Sequence, residues 1–351
     1  MTKYSKQGTA QRLLKIVEAF PRVGITVLGD LVADEFIFGE ISRVSREAPV
    51  LILKHRERTV TPGAAGNAVF NLAAMGVNVL PVGVVGDDEP GRLLLKAFKL
   101  KKISISGIIK LKGYPTVTKT RILAGQVHSS RQQVVRIDRE PDTALDAHTI
   151  RDLIACAAEF AKASDALLIS DYGYGSASPA MLQALRARNR LDGMAVTLDS
   201  RYRMLEYSGV TAATPNEPEV EEALRTKIGN NSEQVLAAGK LLMRKMKLES
   251  LLITRGRDGM VAFSAGGEPV NIPIYGSDEV ADVTGAGDTV IAAFTAALAA
   301  GAEPLDAAYL ANFAGGIVVM KRGTATVNAA ELRDAIERSA QHQLHKPDGH
   351  A

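Results

Sequence analysis

The sequence has little of several residue types on which particular functions depend. Its 351 residues include a single cysteine, Cys156, so a disulfide framework and a thiolate metal cluster are both excluded. There is no tryptophan and only 5% of the residues are aromatic, which argues against a stacking platform for single-stranded nucleic acid. The 42 basic residues nearly balance the 39 acidic ones, whereas a nucleic-acid-binding protein would need a concentrated basic face.

Long hydrophobic runs are also lacking. Residues 1–10 contain no apolar signal core, and the most apolar stretch, 290–302, is too short and too rich in glycine and alanine to span a bilayer. We therefore expect a cytoplasmic protein without a membrane partner. Because 46% of the residues are hydrophobic, the chain can bury one large α/β core or two smaller ones.

Short apolar runs of strand length alternate with longer helical patterns along most of the chain. The strand-like runs lie at 23–28, 79–85, 166–170, 194–198 and 251–254, and helical patterns lie at 64–75 and 91–100. Strands this apolar predict a parallel sheet covered by helices on both faces. In such a sheet, ligands bind at the carboxyl ends of the strands.

Two stretches break this alternation. Residues 36–58 and 116–138 contain patterns of period two, which are typical of short antiparallel strands, and we predict that both project from the main sheet as a small lid. The lid interrupts a main domain over 21–330. A helix within 1–20 precedes that domain, and a C-terminal helix with a polar, fraying tail is predicted over 331–351.

Residues 282–289 read Asp-Val-Thr-Gly-Ala-Gly-Asp-Thr and introduce a long apolar helix. Gly285, Ala286 and Gly287 leave backbone N–H groups bare at the positive end of that helix, where a phosphate could approach them. Asp288 would repel the phosphate, but it suits a general base that takes a proton from a hydroxyl attacking that phosphate. Taken alone, the segment leaves open that its acids and threonines merely cap the helix.

The same segment resembles the C-terminal signature of the ribokinase-like, or phosphofructokinase-B, sugar kinases, in which it supplies an anion hole and the base. Residues 62–73, Pro-Gly-Ala-Ala-Gly-Asn-Ala-Val-Phe-Asn-Leu-Ala, resemble the N-terminal signature of that family. The resemblance implies that Gly63 and Asn67 contact the sugar. Ala64 stands where a second glycine is common. On its residues alone, the stretch could be an ordinary helix start built from small residues.

The resemblance extends over about 23–327 and implies the fold of the family. That fold is α/β: a ribokinase-like three-layer sandwich of helices, sheet and helices, with a small lid of β-strands. It also implies that Asp30 and Asp34, which follow the first strand, hold sugar hydroxyls. A turn at the strand end would explain Asp34 equally well.

Mg-ATP is the second ligand that the resemblance implies. The residues assigned to it are Asn216, Glu219, Thr254, Gly256, Gly259 and Asn312. Glu219 would act on Mg²⁺ through water, in keeping with the few carboxylates and several waters that this ion prefers. Asn216 could equally be a helix cap, and the two glycines could belong to a hairpin turn. Asn312 could be a polar residue whose hydrogen bonds are made within the protein. In some relatives a monovalent cation such as K⁺ binds near the positions of Asp282 and Thr284.

Four further stretches narrow the resemblance to family members that phosphorylate C1 of D-glycero-β-D-manno-heptose 7-phosphate, a step toward ADP-heptose and lipopolysaccharide. They lie at 42–50, 116–121, 133–138 and 170–175. A phosphorylated sugar needs cations at its far end, and period two places Lys119 and Arg121 on one face of a lid strand. Exposed edge strands also carry such residues to prevent pairing. The substrate set is completed by Arg136 and Asp171.

Other functions remain open on the sequence. A kinase for fructose 1-phosphate or tagatose 6-phosphate would share the base and the ATP site, and a silent sugar-binding regulator should have lost Asp288 or its glycines. Some heptose kinases are fused to an adenylyltransferase with a His-x-Gly-His loop. Here 342–345 lack the glycine, so we expect a stand-alone kinase. Because lids of this family pair as a β-clasp, we also expect a homodimer.

Overall fold

The computed structural model describes residues 6–125, 132–188, 191–229, 231–276, 282–321 and 323–344. The strands are β1 (Gly24–Gly29), β2 (Leu31–Val44), β3 (Leu51–Ala64), β4 (Asn78–Gly86), β5 (Ile108–Leu111), β6 (Thr118–Gly125), β7 (Gln132–Arg139), β8 (Ala166–Asp171), β9 (Ala195–Ser200), β10 (Ala212–Ala213), β11 (Ser250–Thr254), β12 (Met260–Ser264) and β13 (Val270–Ile272). The helices are α1 (Lys6–Ala19), α2 (Ala65–Ala74), α3 (Glu89–Leu100), α4 (Ala147–Ala161), α5 (Pro179–Arg186), α6 (Glu217–Leu224), α7 (Ser232–Met246), α8 (Ala286–Ala299), α9 (Pro304–Val319) and α10 (Ala329–Leu344).

The large sheet has the order β13-β12-β11-β10-β9-β8-β1-β4-β5. Its strands from β11 to β5 are parallel, as predicted, and β12 and β13 add an antiparallel edge. Parallel strands need a long crossover, whereas β11 and β12 are joined only by a short 3₁₀ turn, Gly256–Asp258, and must therefore run in opposite directions.

Both faces of the large sheet are buried, each against its own set of helices. Along β8, Leu168 faces a core that includes residues of α2, α8 and α9, whereas Leu167 and Ile169 face a second core that includes residues of α4, α5 and α7. This alternation with period two fills both cores from a single strand. The predicted three-layer α/β architecture is confirmed.

The smaller sheet forms the lid, in the order β3-β2-β6-β7. β2 follows β1 after one residue, Asp30, so the lid strands begin at Leu31 and extend to Ala64, beyond the predicted limits of 36 and 58. The expectation of antiparallel strands holds for β2–β3 and β6–β7 but is wrong for β2–β6, which pair in parallel. After β3 the chain leaves the lid and forms β4 and β5 of the large sheet. It then returns to the lid as β6, which runs in the same direction as β2.

The two ends of the described chain pack together. α1 contacts α9 and α10, and Arg12 donates to the buried carboxylate of Asp306 at 2.8 Å. α10 begins at Ala329 and continues to Leu344, so residues 340–344 are helical where fraying was predicted; 345–351 lie outside the described residues. Within the described ranges, no helix is long and apolar enough to cross a membrane.

Candidate active site

A cavity of about 410 Å³ lies between the carboxyl ends of the parallel strands and the lid. Its wall is rich in charged side chains of both signs. The lining residues are Val32, Asp34, Ala64, Lys119, Arg121, Arg136, Tyr172, Asp199, Arg201, Thr214, Asn216, Pro218, Glu219, Glu222, Thr254, Thr284, Gly285, Gly287 and Asp288.

Asp288 lies in the first turn of α8, where the glycines allow an unusually close approach of two helix starts. Gly285 has φ +76°, and a Cβ there would lie 2.3 Å from Nδ2 of Asn67 on α2. That nitrogen donates to Oδ2 of Asp288 at 2.9 Å and to the carbonyl oxygen of Gly285 at 3.1 Å. Asn67, which the resemblance assigned to the sugar, therefore holds the carboxylate of Asp288, and its contact with the sugar stays a prediction.

Tyr172 is a second partner of Asp288, and its role was not predicted. Its phenol donates to Oδ1 of Asp288 at 2.9 Å from the loop that follows β8. Burial raises the pKa of Asp288 to about 8, and the charge of Asp199 adds to the effect. A carboxyl group with a pKa near neutrality that faces a cavity is suited to proton transfer.

The predicted anion site, which stays a prediction, would lie at the helix start. Gly285 and Gly287 line the cavity, and nothing lies within 4 Å of the place where a Cβ of Gly287 would be, so the backbone there is open. The N–H of Ala286 instead donates to the carbonyl oxygen of Val283 at 3.2 Å. The N–H groups of Gly287 and Asp288 are therefore the ones left for a phosphate.

A pair of acidic residues, Asp199 and Glu219, lies on the same wall. Asn216 and Glu219 form a reciprocal capping box, with both bonds at 2.9 Å, so Asn216 caps α6 while it lines the cavity. Burial raises the pKa of Glu219, and burial together with the charge of Glu219 raises that of Asp199. Asp199 ends β9 and was not predicted, because a lone acid at a strand end carries no local motif.

These two carboxylates fit a magnesium site in which the protein supplies only a few of the ligands. Among the described residues, no group of three or more His, Cys, Asp or Glu side chains could hold a metal ion. Mg²⁺, however, is commonly bound by one or two carboxylates together with waters and substrate phosphates. Two partly buried acids with raised pKa values, whose one nearby cation among the cavity-lining residues of the large sheet is Arg201, match that donor set, and Glu219 is one of the predicted residues.

The lid supplies the basic wall of the cavity. Lys119 and Arg121, which the alternation placed on one face of a lid strand, both line it from β6, and Arg136 lines it from β7. Arg121 lies directly opposite Arg136 in the register of the two strands. Each is paired with one carboxylate, Arg121 with Asp34 and Arg136 with Asp138, and a guanidinium group has further N–H donors that an anion could accept. Arg201, a further basic residue of the cavity, follows β9 of the large sheet and was not predicted.

Asp34 and Gly63 work as a pair beneath this basic wall. Asp34 is 2.5 Å from Nη1 of Arg121, and a Cβ on Gly63 would lie 2.1 Å from the Asp34 carboxylate. Gly63 is not among the lining residues. It therefore makes room for Asp34, which orients Arg121 at the cavity, rather than contacting the cavity itself.

Asp30 and Asp171, both assigned to the sugar, lie behind the cavity wall. Asp30 is buried and accepts the N–H groups of Tyr172, Tyr174 and Ser176 at 2.8–3.0 Å. Asp171 is 2.6 Å from Arg203 and accepts the phenol of Tyr207 at 2.9 Å. Neither lines the cavity. Both carboxylates accept backbone N–H groups of the 172–176 loop and so stabilise it. The sequence does not distinguish an acid at a strand end that binds a ligand from one that binds a loop.

Of the other residues assigned to the nucleotide, only Thr254 joins Asn216 and Glu219 in the cavity. Gly256 and Gly259 form the turn between β11 and β12, with φ +53° and +79°. Asn312, on α9, donates to the carbonyl oxygen of Pro273 at 2.9 Å. A hairpin turn therefore accounts for Gly256 and Gly259, and a hydrogen bond within the protein accounts for Asn312.

Asp282 and Thr284, which were predicted to bind a monovalent cation, form a hydrogen bond with each other. The Thr284 N–H donates to Oδ1 of Asp282 at 2.9 Å, and the N–H of Gly323 donates to Oδ2 at 3.2 Å. Both oxygens of Asp282 thus hold the loop that precedes α8. Only Thr284 lines the cavity.

Comparison with solved structures confirms the predicted ribokinase-like fold. Ribokinase from Arabidopsis thaliana, solved with ribose and ATP, superposes with a TM-score of 0.67 at 18% identity, over 91% of this chain and 98% of that chain. Phosphofructokinase-2 from Escherichia coli, solved with potassium, superposes with a TM-score of 0.71 at 14% identity, over 90% and 98% of the two chains.

Sequence comparison gives the family. "Bifunctional protein HldE" of Pelobacter propionicus is 40% identical over 311 residues, which cover 88% of this chain and 62% of that protein. The chain therefore spans less than two thirds of the length of this relative. The model of the pfkB family carbohydrate kinases matches residues 25–331. Because that match covers most of its length, this chain belongs to the pfkB family of carbohydrate kinases.

Proposed function

We propose that the protein transfers the γ-phosphoryl group of Mg-ATP to the C1 hydroxyl of D-glycero-β-D-manno-heptose 7-phosphate, giving the 1,7-bisphosphate and ADP. One observation carries the proposal: the same cavity is lined by the hydrogen-bonded carboxylate of Asp288 and by two lid residues, Arg121 and Arg136, which face each other across neighbouring strands. A substrate that reacts at one end and carries a phosphate at the other requires a base at one side of the cavity and cations at the other. The resemblance of the lid stretches to heptose 7-phosphate kinases supports the choice of sugar.

The proposed chemistry begins at Asp288. Its carboxylate takes the proton of the C1 hydroxyl as that oxygen attacks the γ-phosphorus, and the bond from phosphorus to the bridging oxygen of ADP breaks. The N–H groups of Gly287 and Asp288 stabilise the charge on the transferred group. Arg121 and Arg136 hold the 7-phosphate, which orients the hydroxyl toward the base.

ATP and Mg²⁺ would occupy the acidic side of the cavity. Thr254 and Asn216 lie where the phosphates would pass, and Asp199 and Glu219 would hold Mg²⁺, in part through water. Bound Mg²⁺ supplies positive charge to the phosphates. Each carboxylate oxygen of Asp282 accepts one N–H group and keeps a second acceptor position, which a monovalent cation could use. The dependence on K⁺ stays a prediction.

The direct test is ADP release from Mg-ATP, measured with heptose 7-phosphate, fructose 1-phosphate, fructose 6-phosphate, tagatose 6-phosphate, ribose and no sugar. Selective turnover of heptose 7-phosphate is the expected result. Selective turnover of another sugar phosphate would retain the kinase and overturn the substrate. No turnover with any sugar would favour the silent sugar-binding regulator.

The proposal includes a homodimer formed through the lid, and a cytoplasmic location where ATP is available. β7 is an edge strand whose residues are all exposed, including Val134, Val135 and Ile137 at 43%, 46% and 53% exposure. An exposed apolar edge strand favours pairing with another chain. Light scattering at micromolar concentration should give the mass of a dimer, and a monomeric mass would contradict this part of the proposal.

A further inference from the structure

Both carboxylate oxygens of Asp288 are held by side chains from different parts of the fold. Asn67, on α2, donates to Oδ2, and Tyr172, after β8, donates to Oδ1, each at 2.9 Å. Two bonds at opposite ends of a carboxylate fix the orientation of its plane. Each oxygen has a second acceptor position, so Oδ1 can keep the phenol bond and still face a hydroxyl in the cavity.

The backbone delivers the Tyr172 phenol to this position with little freedom. Asp30 accepts the N–H groups of Tyr172, Tyr174 and Ser176, and these bonds wrap the loop around one buried carboxylate. Asp30 itself follows β1, which pairs with β8 through Gly29 and Ser170. The position of the phenol is therefore set by the centre of the large sheet.

The Tyr172 ring is also held from the lid. Nζ of Lys119 lies 5.6 Å from the centroid of the Tyr172 ring and 5.9 Å from that of Tyr174. An ammonium group over an aromatic face at this distance is attracted to it. Tyr172 thus contacts the base through its hydroxyl and the lid through its ring.

We propose that Tyr172 is a positioning residue that orients Asp288 for proton abstraction. This inference rests on the proposed function, which makes Asp288 the base. A hydrogen bond donated to the ionised carboxylate favours that form, so loss of the phenol should also raise the pKa of Asp288. A residue that only packed the loop would leave that pKa unchanged.

The test compares Tyr172→Phe with Tyr174→Phe. The Tyr174 phenol donates to Glu140 at 2.6 Å and lies beside the same lysine, so each variant loses one hydroxyl and keeps its ring. For Tyr172→Phe we expect kcat to fall about 10- to 100-fold, the range for a hydrogen bond to a charged group, with KM for the sugar phosphate changed less than about threefold. Tyr174→Phe should match the wild type.

A second measurement does not depend on turnover. Titration of ¹³Cγ-labelled aspartates by NMR in the ligand-free protein identifies Asp288 as the signal missing from Asp288→Asn. Its pKa should be higher in Tyr172→Phe than in the wild type and unchanged in Tyr174→Phe. If no sugar is phosphorylated, the proposed function fails while this titration still tests the contact. An unchanged titration, or a kcat equal to that of the wild type, would overturn the inference.

Discussion

The two walls of the cavity carry opposite charge and differ in burial. The wall on the large sheet holds the acids Asp199, Glu219 and Asp288, whose pKa values are all raised, mainly by burial. The lid wall holds Arg121 and Arg136, which face each other across two strands, and β7 is exposed along its whole length. Each lid arginine is paired with one carboxylate, Arg121 with Asp34 and Arg136 with Asp138, and the charge of Arg201 partly offsets the rise in pKa of Asp199 and Glu219.

This difference indicates what the cavity should bind. The acidic wall favours a cation close to its carboxylates, and the lid favours an anion between its two arginines. Mg-ATP and a sugar phosphate together supply both. The charge of the lid should therefore set the affinity for the sugar phosphate, whereas the buried acids should set the chemistry and the pH dependence.

The largest effect on substrate affinity should come from the lid. Arg121→Met and Arg136→Met each remove charge-assisted hydrogen bonds to the sugar phosphate, so its KM should rise about 10- to 100-fold, with a smaller change in KM for ATP. Initial rates measured with each substrate varied separately test this. Arg56→Met, which removes an exposed arginine paired with Glu40 on the same lid, is the control and should behave as the wild type. An equal rise in all three variants would contradict a phosphate site.

An intermediate effect should appear in stability on the acidic wall. Burial raises the pKa of Asp288 to about 8 from an ordinary value of 3.8, so the folded state holds this proton more tightly than the unfolded state. The resulting stabilisation is complete below about pH 4 and is lost as the pH rises through about 8. Asp288→Asn removes this loss, so its free energy of unfolding relative to the wild type should increase by at least about 1 kcal/mol between about pH 5 and pH 8.5.

Urea unfolding of both proteins across that pH range measures the difference. The control is Asp334→Asn, which changes an exposed carboxylate on α10. The difference between that variant and the wild type should stay flat with pH. A flat curve for Asp288→Asn as well would show that Asp288 does not hold its proton in the folded protein.

The smallest effect should come from the backbone where the two walls meet. Ala64 has φ +51° and ψ −129°, a conformation that costs a non-glycine residue of order 1 kcal/mol or more. Ala64→Gly relieves this strain but adds freedom to the unfolded chain, so the free energy of unfolding should rise by about 0.5–1 kcal/mol. Thermal or urea unfolding checks the change, and Ala73→Gly, inside the helix α2 that follows Ala64, should instead be destabilising.

The sequence reveals those parts of the site that are encoded locally. Asp288, Gly285 and Gly287 share one turn of a helix, and Asn216 and Glu219 share one capping box, so their spacing identifies them. The strain at Ala64 likewise explains why a glycine is expected at that position in the family pattern.

Residues brought together by the sheet were harder to predict. Tyr172 and Asp199 follow or end different strands, and only the pairing of β8 with β9 brings them to one cavity. Asp30 and Asp171 lie behind the cavity wall, where they bind the N–H of Ser176 and the phenol of Tyr207, both distant in sequence. The parallel pairing of β2 with β6 was missed for the same reason, since strand patterns do not encode neighbours.

The most direct test of the account measures binding and chemistry on the same variant. Transfer of phosphate from Mg-ATP to heptose 7-phosphate in a single turnover is compared between the wild type and Asp288→Asn, with calorimetric binding of both substrates to each protein. Loss of a general base should slow transfer about 10²- to 10⁴-fold while both substrates still bind. Transfer at a near-normal rate by Asp288→Asn would contradict the assignment of Asp288 as the base.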